Sequence, residues 1–245
     1  MSPKITAVPC LSDNYAYLVH EGERAWIVDP SESKPVIAAL ETLGLGAAGI
    51  LATHHHPDHV GGVDGLIEHF GPLTVAAHEL DRGRVPQQSL FVDAPTDRFI
   101  DSGLVIAGRR VLAAHIPGHT RAAIAWYLVG DDDADGDVFT GDTLFAAGCG
   151  RLFEGTPAQM HTSLQLLTSL PATTRMWFGH EYTASNLRFA AALEPEHAPI
   201  ADRRAELTHC TTPTTVELER ETNPFVRARD AAQLGERRAA KDSFS

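Results

Sequence analysis

Five short apolar runs in this chain each end at a histidine or an aspartate, and that repeated ending constrains the fold more than any other property of the sequence. Trp26-Ile27-Val28 runs into Asp29, Ile50-Leu51-Ala52 into the segment Thr53 to His59, and Val111 to Ile116 into Gly118-His119. Val138-Phe139-Thr140 runs into Asp142, and Met176-Trp177-Phe178 into His180. Runs of this length, rich in β-branched and aromatic residues, read as strands. Loops at strand ends are where a rigid sheet holds side chains in a fixed constellation. Random scatter of the 13 histidines would not favour this placement.

Further candidate strands are Ile5 to Val8, Tyr15 to Val19, Leu73 to Ala77 and Ala123 to Val129. Helix signals lie between some of them: one starts near Ser33 and stops at Gly44, and another has Thr156 as N-cap and Pro157 at the first helical position. The mix predicts an α/β sandwich of sheets and helices. Beyond His180 candidate strands stop, and Ala184 to Leu193, Ile200 to His209 and Arg227 to Arg238 look helical. The expected organisation is a domain over residues 1–180 and a smaller helical domain over 181–245.

Composition narrows the function classes. A chain of 245 residues with 43% apolar content can bury a full core, and it lacks the roughly 18 consecutive apolar residues of a membrane span. Met1 to Ser12 has neither the basic start nor the apolar stretch of a secretion signal. Cys10, Cys149 and Cys210 are odd in number and far apart, which favours a reducing compartment, the cytoplasm by default. A formal charge of −12 opposes binding to nucleic acid over the body of the protein, so an anionic ligand needs a local basic patch. A monomer is the default assembly.

The segment His54-x-His56-x-Asp58-His59 places three imidazoles and a carboxylate within six residues. His54 and His56 are two apart and point to the same side of an extended segment, while Asp58 and His59 follow where the chain turns. With His119, Asp142 and His180 the strand ends offer seven donors, too many for one ion, since a catalytic zinc takes three protein ligands plus water. If Asp142 bridges, His54, His56 and His119 complete one ion, and Asp58, His59 and His180 the other. A hydroxide between two such ions, roughly 3.5–4 Å apart, is a strong nucleophile at neutral pH. Asp29 stands just outside this set, placed to orient a ligand imidazole. His and Asp donors suit divalent zinc first, with iron or manganese as alternatives.

Thr53 to His59, Pro117-Gly118-His119-Thr120, Thr140-Gly141-Asp142 and Gly179-His180 resemble the ligand motifs of the metallo-β-lactamase fold. Gly141 to Phe145, Gly148 to Gly155, His180-Glu181-Tyr182-Thr183, Asn223-Pro224-Phe225 and Arg238-x-x-Lys241-Asp242 narrow the resemblance to glyoxalase II, the hydroxyacylglutathione hydrolases, over nearly the whole chain. The resemblance implies an αββα sandwich followed by a small C-terminal helical domain. It implies a two-metal centre in which Asp58 and Asp142 take part in catalysis. The implied reaction is hydrolysis of S-D-lactoylglutathione to D-lactate and glutathione, the second step of methylglyoxal detoxification. Arg151, Phe153, Tyr182, Arg238 and Lys241 stand where that family holds the tripeptide, with Phe153 where many members carry tyrosine. The alternatives are a persulfide dioxygenase of the same fold, using one iron, or another hydrolase of the metallo-β-lactamase fold.

The remaining histidines, His20, His55, His69, His78, His115, His161, His197 and His209, read as surface or structural groups, with His55 wrongly phased for the metal. Asp131-x-Asp133-x-Asp135-Gly136 imitates a calcium loop, but it lies between apolar strands where that loop needs flanking helices. An acidic hairpin loop is expected there.

Overall fold

The computed structural model describes residues 3–130 and 135–244, so most of the acidic 131–135 loop lies outside the described residues. The chain begins with β1 (Lys4–Cys10), β2 (Asn14–Glu21) and β3 (Arg24–Val28), each antiparallel to the one before. Helix α1 (Ser33–Leu43) then crosses over to β4 (Gly46–Leu51), and α2 (Pro57–Val60) with α3 (Val63–Phe70) leads to β5 (Thr74–His78) and β6 (Leu90–Val92). Those crossovers make β3, β4, β5 and β6 parallel neighbours. The second sheet takes β7 (Ile100–Ile106), β8 (Arg109–His115), β9 (Ile124–Leu128) and β10 (Asp137–Gly141). After the small ribbon of β11 (Leu144–Phe145) and β12 (Gly148–Cys149), helix α4 (Pro157–Thr168) leads to β13 (Arg175–Phe178), parallel to β10.

Alternation along the strands explains why two sheets pack with helices outside them. In β2, Tyr15, Tyr17 and Val19 face the second sheet among Trp126, Leu128 and Phe139. Ala16 and Leu18 face the other way, with Val36 and Leu40 of α1 and Val63 and Leu66 of α3. In β9, Ile124, Trp126 and Leu128 point inward, while Ala125 and Tyr127 meet Met160, Leu164 and Leu167 of α4. Strands buried on both faces carry continuous apolar runs, which is how they read in the sequence. The observed architecture is the expected sandwich, one six-stranded sheet stacked on another with helices on both outer faces. Trp126 has no exposed surface, so truncation to alanine would cost about 3–5 kcal/mol.

The C-terminal segment differs from the expectation in detail. It comprises α5 (Thr183–Leu193), α6 (Ala198–Ala205), β14 (Thr214–Thr215), α7 (Val216–Thr222) and α8 (Ala231–Asp242). Strands do not stop at His180, because Thr214 and Thr215 pair with Met176 and Arg175 at the edge of the second sheet. The helix expected over Arg227 to Arg238 starts later, at the cap Asp230, whose carboxylate accepts from the Gln233 amide, and it carries Lys241 in its last turn. Phe189, Val216, Phe225 and Leu234 join the cluster that α4 makes with the second sheet, so the segment packs on the sandwich through a shared core. Strands β6, β7, β11 and β12 escaped the pattern: β6 is three residues long, β11 and β12 two each, and β7 has a register break between Asp101 and Leu104 around Gly103.

Candidate metal centre

The five strand ends meet at one edge of the sandwich. β3, β4, β8, β10 and β13 deliver their C-terminal ends there, and β2, antiparallel to β3, adds its start. Two glycines allow the approach. Gly141 turns the chain with φ +50°, and a Cβ on it would sit 2.3 Å from Thr53 Oγ1. A Cβ on Gly179 would sit 2.4 Å from Asp142 Oδ1. The residues before Asp142 and His180 therefore need to lack a side chain.

His54 Nε2 lies 3.1 Å from His56 Nδ1, and His119 Nε2 lies 3.0 Å from the same atom. The far sides of two of these rings show which nitrogens are lone pairs. Thr53 Oγ1 donates to Asp29 at 2.6 Å, so it accepts from His54 Nδ1 at 3.1 Å. His119 Nδ1 donates to the Arg151 carbonyl at 2.9 Å. Both Nε2 atoms are thus acceptors aimed at the same point. A tetrahedral ion with 2.0–2.1 Å bonds to nitrogen needs its donors about 3.3 Å apart, close to the 3.0–3.1 Å that each Nε2 keeps from His56 Nδ1.

The other half is built around carboxylates. His59 Nδ1 donates to Asp29 Oδ2 at 2.9 Å, and His180 Nδ1 to Asp13 Oδ1 at 2.8 Å. Their Nε2 atoms face inward: His180 Nε2 is 3.3 Å from Asp58 Oδ2, and His59 Nε2 is 3.8 Å from it. Asp142 stands between the halves, with Oδ1 3.2 Å from His59 Nε2 and Oδ2 3.4 Å from His119 Nε2 and 3.3 Å from His180 Nε2. All seven expected donors come together, and Asp29 holds the Thr53 amide as well as His59. His59 Nε2 and Asp142 Oδ1 are buried without a hydrogen bond. A cation fits such a donor set, since buried polar atoms are costly when unpaired.

Electrostatics separates the halves. Burial, reinforced by the neighbouring imidazoles, holds His54 well below its ordinary pKa, lowers His119 and takes His56 down to about 4, so these rings are neutral donors. At His59 burial is outweighed by Asp142 and Asp29, and its pKa lies well above the ordinary value. His180 is raised to about 10, its hydrogen bonds to Asp142 and Asp58 overcoming burial. The hydrogen bond from His180 lowers Asp58, and at Asp142 the charges of His59 and His180 overcome burial to the same end. Without a cation this half carries protons that a metal displaces.

One cavity of about 470 Å³ contains His56, Asp58, His119, Asp142 and His180 together with Arg151, Phe153, Tyr182, Arg238 and Lys241. The Phe153 ring lies 5.2 Å from His119, and Tyr182 stacks on His180 at 4.8 Å. Lys241 Nζ donates to the Ser185 carbonyl at 3.0 Å; burial, with Arg238 and Arg188, lowers its pKa to about 8. Arg238 is buried and donates to the Cys149 carbonyl at 2.7 Å and to Asp242 at 2.9 Å. Arg151 is largely exposed, 3.5 Å from Asp242.

Sequence reasoning missed Asp13, Asn14, Phe145, Ser185 and Phe244. Asn14 Nδ2 donates to the Asp58 carbonyl at 3.0 Å and to its carboxylate at 3.2 Å. Asp13 and Asn14 precede an apolar run, and only the antiparallel pairing of β2 with β3 brings that start to the shared edge. His55, set aside in the sequence, is only slightly exposed and lies 3.0 Å from Asp81.

Residues 11–180 match the family described as Metallo-beta-lactamase superfamily, and residues 181–244 that described as Hydroxyacylglutathione hydrolase C-terminus. A hydroxyacylglutathione hydrolase of Gloeothece citriformis is 44% identical, covering 98% of this chain and 100% of its own length. One from a Cyanothece species is 45% identical, covering 91% and 88%. The crystal structure of TTHA1623 in a di-iron-bound form is 30% identical with a TM-score of 0.61, covering 92% of this chain and 100% of that one.

Proposed function

The chain belongs to the hydroxyacylglutathione hydrolases of the metallo-beta-lactamase superfamily, and from that premise we propose that it hydrolyses the thioester of S-D-lactoylglutathione to D-lactate and glutathione, the second step of methylglyoxal detoxification. The observation that carries the reading is the cavity that five of the seven donors, His56, Asp58, His119, Asp142 and His180, line together with the cations Arg151, Arg238 and Lys241. His54, His56 and His119 would hold one divalent ion and Asp58, His59 and His180 a second, with Asp142 placed between the two sets; zinc is the first choice, iron or manganese the alternatives. When bound, the metals polarise the thioester carbonyl and lower the pKa of a water from 15.7 towards about 7.

The chain's own residues bind and orient the substrate. Glutathione carries two carboxylates, and Lys241, with its pKa near 8, is mostly cationic at neutral pH and half-buried, which strengthens its pairing with an anion. Arg238 has a buried Nε without a hydrogen bond, a donor left over after Cys149 and Asp242 are served. Tyr182 has its pKa raised to about 12 by burial and by Asp13, so its hydroxyl stays protonated and can donate. Phe153 offers a ring and no hydroxyl. The leaving thiolate, from a thiol of pKa about 8.5, needs no strong general acid.

Residues 1–180 act as the catalytic domain and 181–245 supply the tripeptide contacts of Lys241 and Arg238. A cytoplasmic monomer is the proposed state. It is supported by three cysteines without a disulfide. Among the described residues no helix is long and apolar enough to cross a membrane.

Purified protein carrying about two metals per chain is expected to hydrolyse S-D-lactoylglutathione. Absence of thioesterase activity in a fully metallated sample, together with sulfite release from glutathione persulfide, would replace the reading with the dioxygenase.

A further inference from the structure

His55 sits between two of the seven donors and faces away from them. Successive side chains of an extended segment point to opposite sides, so the spacing that aims His54 and His56 at the cavity turns His55 towards the loop after β5. There it meets Asp81, a carboxylate with no exposed surface, at 3.0 Å from Nδ1 to Oδ1. Neither Asp81 oxygen makes a well-directed hydrogen bond among the described residues, and Arg84 Nη1 lies 3.7 Å from the same oxygen. A buried carboxylate in this state is held by the charges and dipoles that face it, here His55 and Arg84.

Arg84 extends the chain of contacts. Its Nη2 donates to His55 Nε2 and to Glu154 Oε1, so the ring of His55 spans from the Arg84–Glu154 pair on one edge to Asp81 on the other. Glu154 Oε2 accepts from the Arg121 amide at 2.9 Å, and the Glu154 amide donates to the His119 carbonyl at 3.3 Å. Its neighbour Phe153 places its ring 5.8 Å from His56 and 5.2 Å from His119. Three loops that build or wall the three-histidine half are thereby tied by side chains that do not reach the donor nitrogens themselves.

We infer that His55 is a positioning residue: with Asp81, Arg84 and Glu154 it forms a brace that locks the His54–His56 loop against the His119 loop and the Phe153 wall. The inference rests on the reading that His54, His56 and His119 hold an ion. Donor nitrogens 3.0–3.1 Å apart leave little tolerance, and a site loosened by a fraction of an ångström loses affinity.

Calorimetric titration of metal-free protein with zinc tests it, with His56→Ala and Asp58→Ala as markers for the two binding steps. His55→Ala is expected to weaken the step that His56→Ala removes by about ten- to a hundredfold. The step that Asp58→Ala removes is expected to stay within about twofold, since the brace meets the His54–His56 and His119 loops and not Asp29 or Asp13, which back His59 and His180. Glu154→Gln, at a partly exposed position that folding tolerates, weakens the same step by less. The double variant is no worse than His55→Ala alone, because groups acting as one brace are not additive. Equal weakening of both steps with a lower unfolding midpoint, no weakening of either, or additive losses would overturn the brace. If His56→Ala removed no step in the first place, the metal reading would fall, and the brace with it.

Discussion

At the floor of the cavity, four of the five inward-facing imidazoles are backed on their far side by an oxygen: Thr53 Oγ1, Asp29, the Arg151 carbonyl and Asp13. At the rim, Lys241 holds Ser185, Arg238 shares Asp242 with Arg151, and Arg151 is largely exposed. The floor hangs from strand ends of two stacked sheets, whereas Arg238 and Lys241 ride on α8 and Arg151 on a loop after β12. The difference teaches where tolerance lies. On the proposed reading, the reaction chemistry depends on buried backing that a single truncation undoes, while recognition of the substrate's carboxylates is spread over several cations at the rim.

Breaking the floor gives the largest effect. Asp142→Ala, which removes the one carboxylate facing both halves, is expected to abolish metal retention and activity together, read by metal analysis and turnover on the same sample. Next comes its backing: Asp29→Ala is expected to lower metal affinity or turnover by about 10–100-fold, since it releases His59 and the Thr53 amide. Equal behaviour of Asp29→Ala and wild type would remove the contrast between floor and rim.

The rim is expected to move KM while leaving kcat within about twofold. Lys241→Ala is expected to raise KM by about tenfold, the low end of one charge-assisted hydrogen bond of roughly 1.5–3 kcal/mol. An unchanged KM would take the helix α8 out of substrate recognition. The pH profile sharpens the point. Lys241 titrates near 8 in the folded protein, below its ordinary value, so its charge is present below that pH and lost above it. KM for wild type is expected to rise as pH passes 8, and Lys241→Ala to lack that rise. The same depression means the desolvated ammonium slightly opposes folding below pH 8, a cost that fades as pH climbs towards 10.5. The smallest expected effect is Phe153→Tyr, which restores one hydroxyl at an exposed ring and lowers KM by about two- to fivefold.

Much of the floor is legible in the sequence for a physical reason. Strand ends buried on two faces read as apolar runs, and a donor placed one or two residues beyond each run is a local signal. Gly141 and Gly179 are local too, since a side chain there would collide with Thr53 or Asp142. Asp13 and Asn14 were not legible, because they precede a strand and reach the centre only through antiparallel pairing. The start of α8 and the strand Thr214–Thr215 were missed because a cap at Asp230 and a two-residue edge pairing leave almost no periodic trace.

The sequence by itself picked out the seven candidate donors, their partition around Asp142 being an arithmetic of ligands against ions, and the kind of fold able to gather them. Tertiary structure decided which oxygen stands behind four of the imidazoles, and hence which nitrogen is free, because those partners lie 30 to 167 residues away in all but one case. It also gave His55 its place. A side chain phased away from the metal carries no signal along the chain, and its partners Asp81, Arg84 and Glu154 meet it only once the loops have folded together.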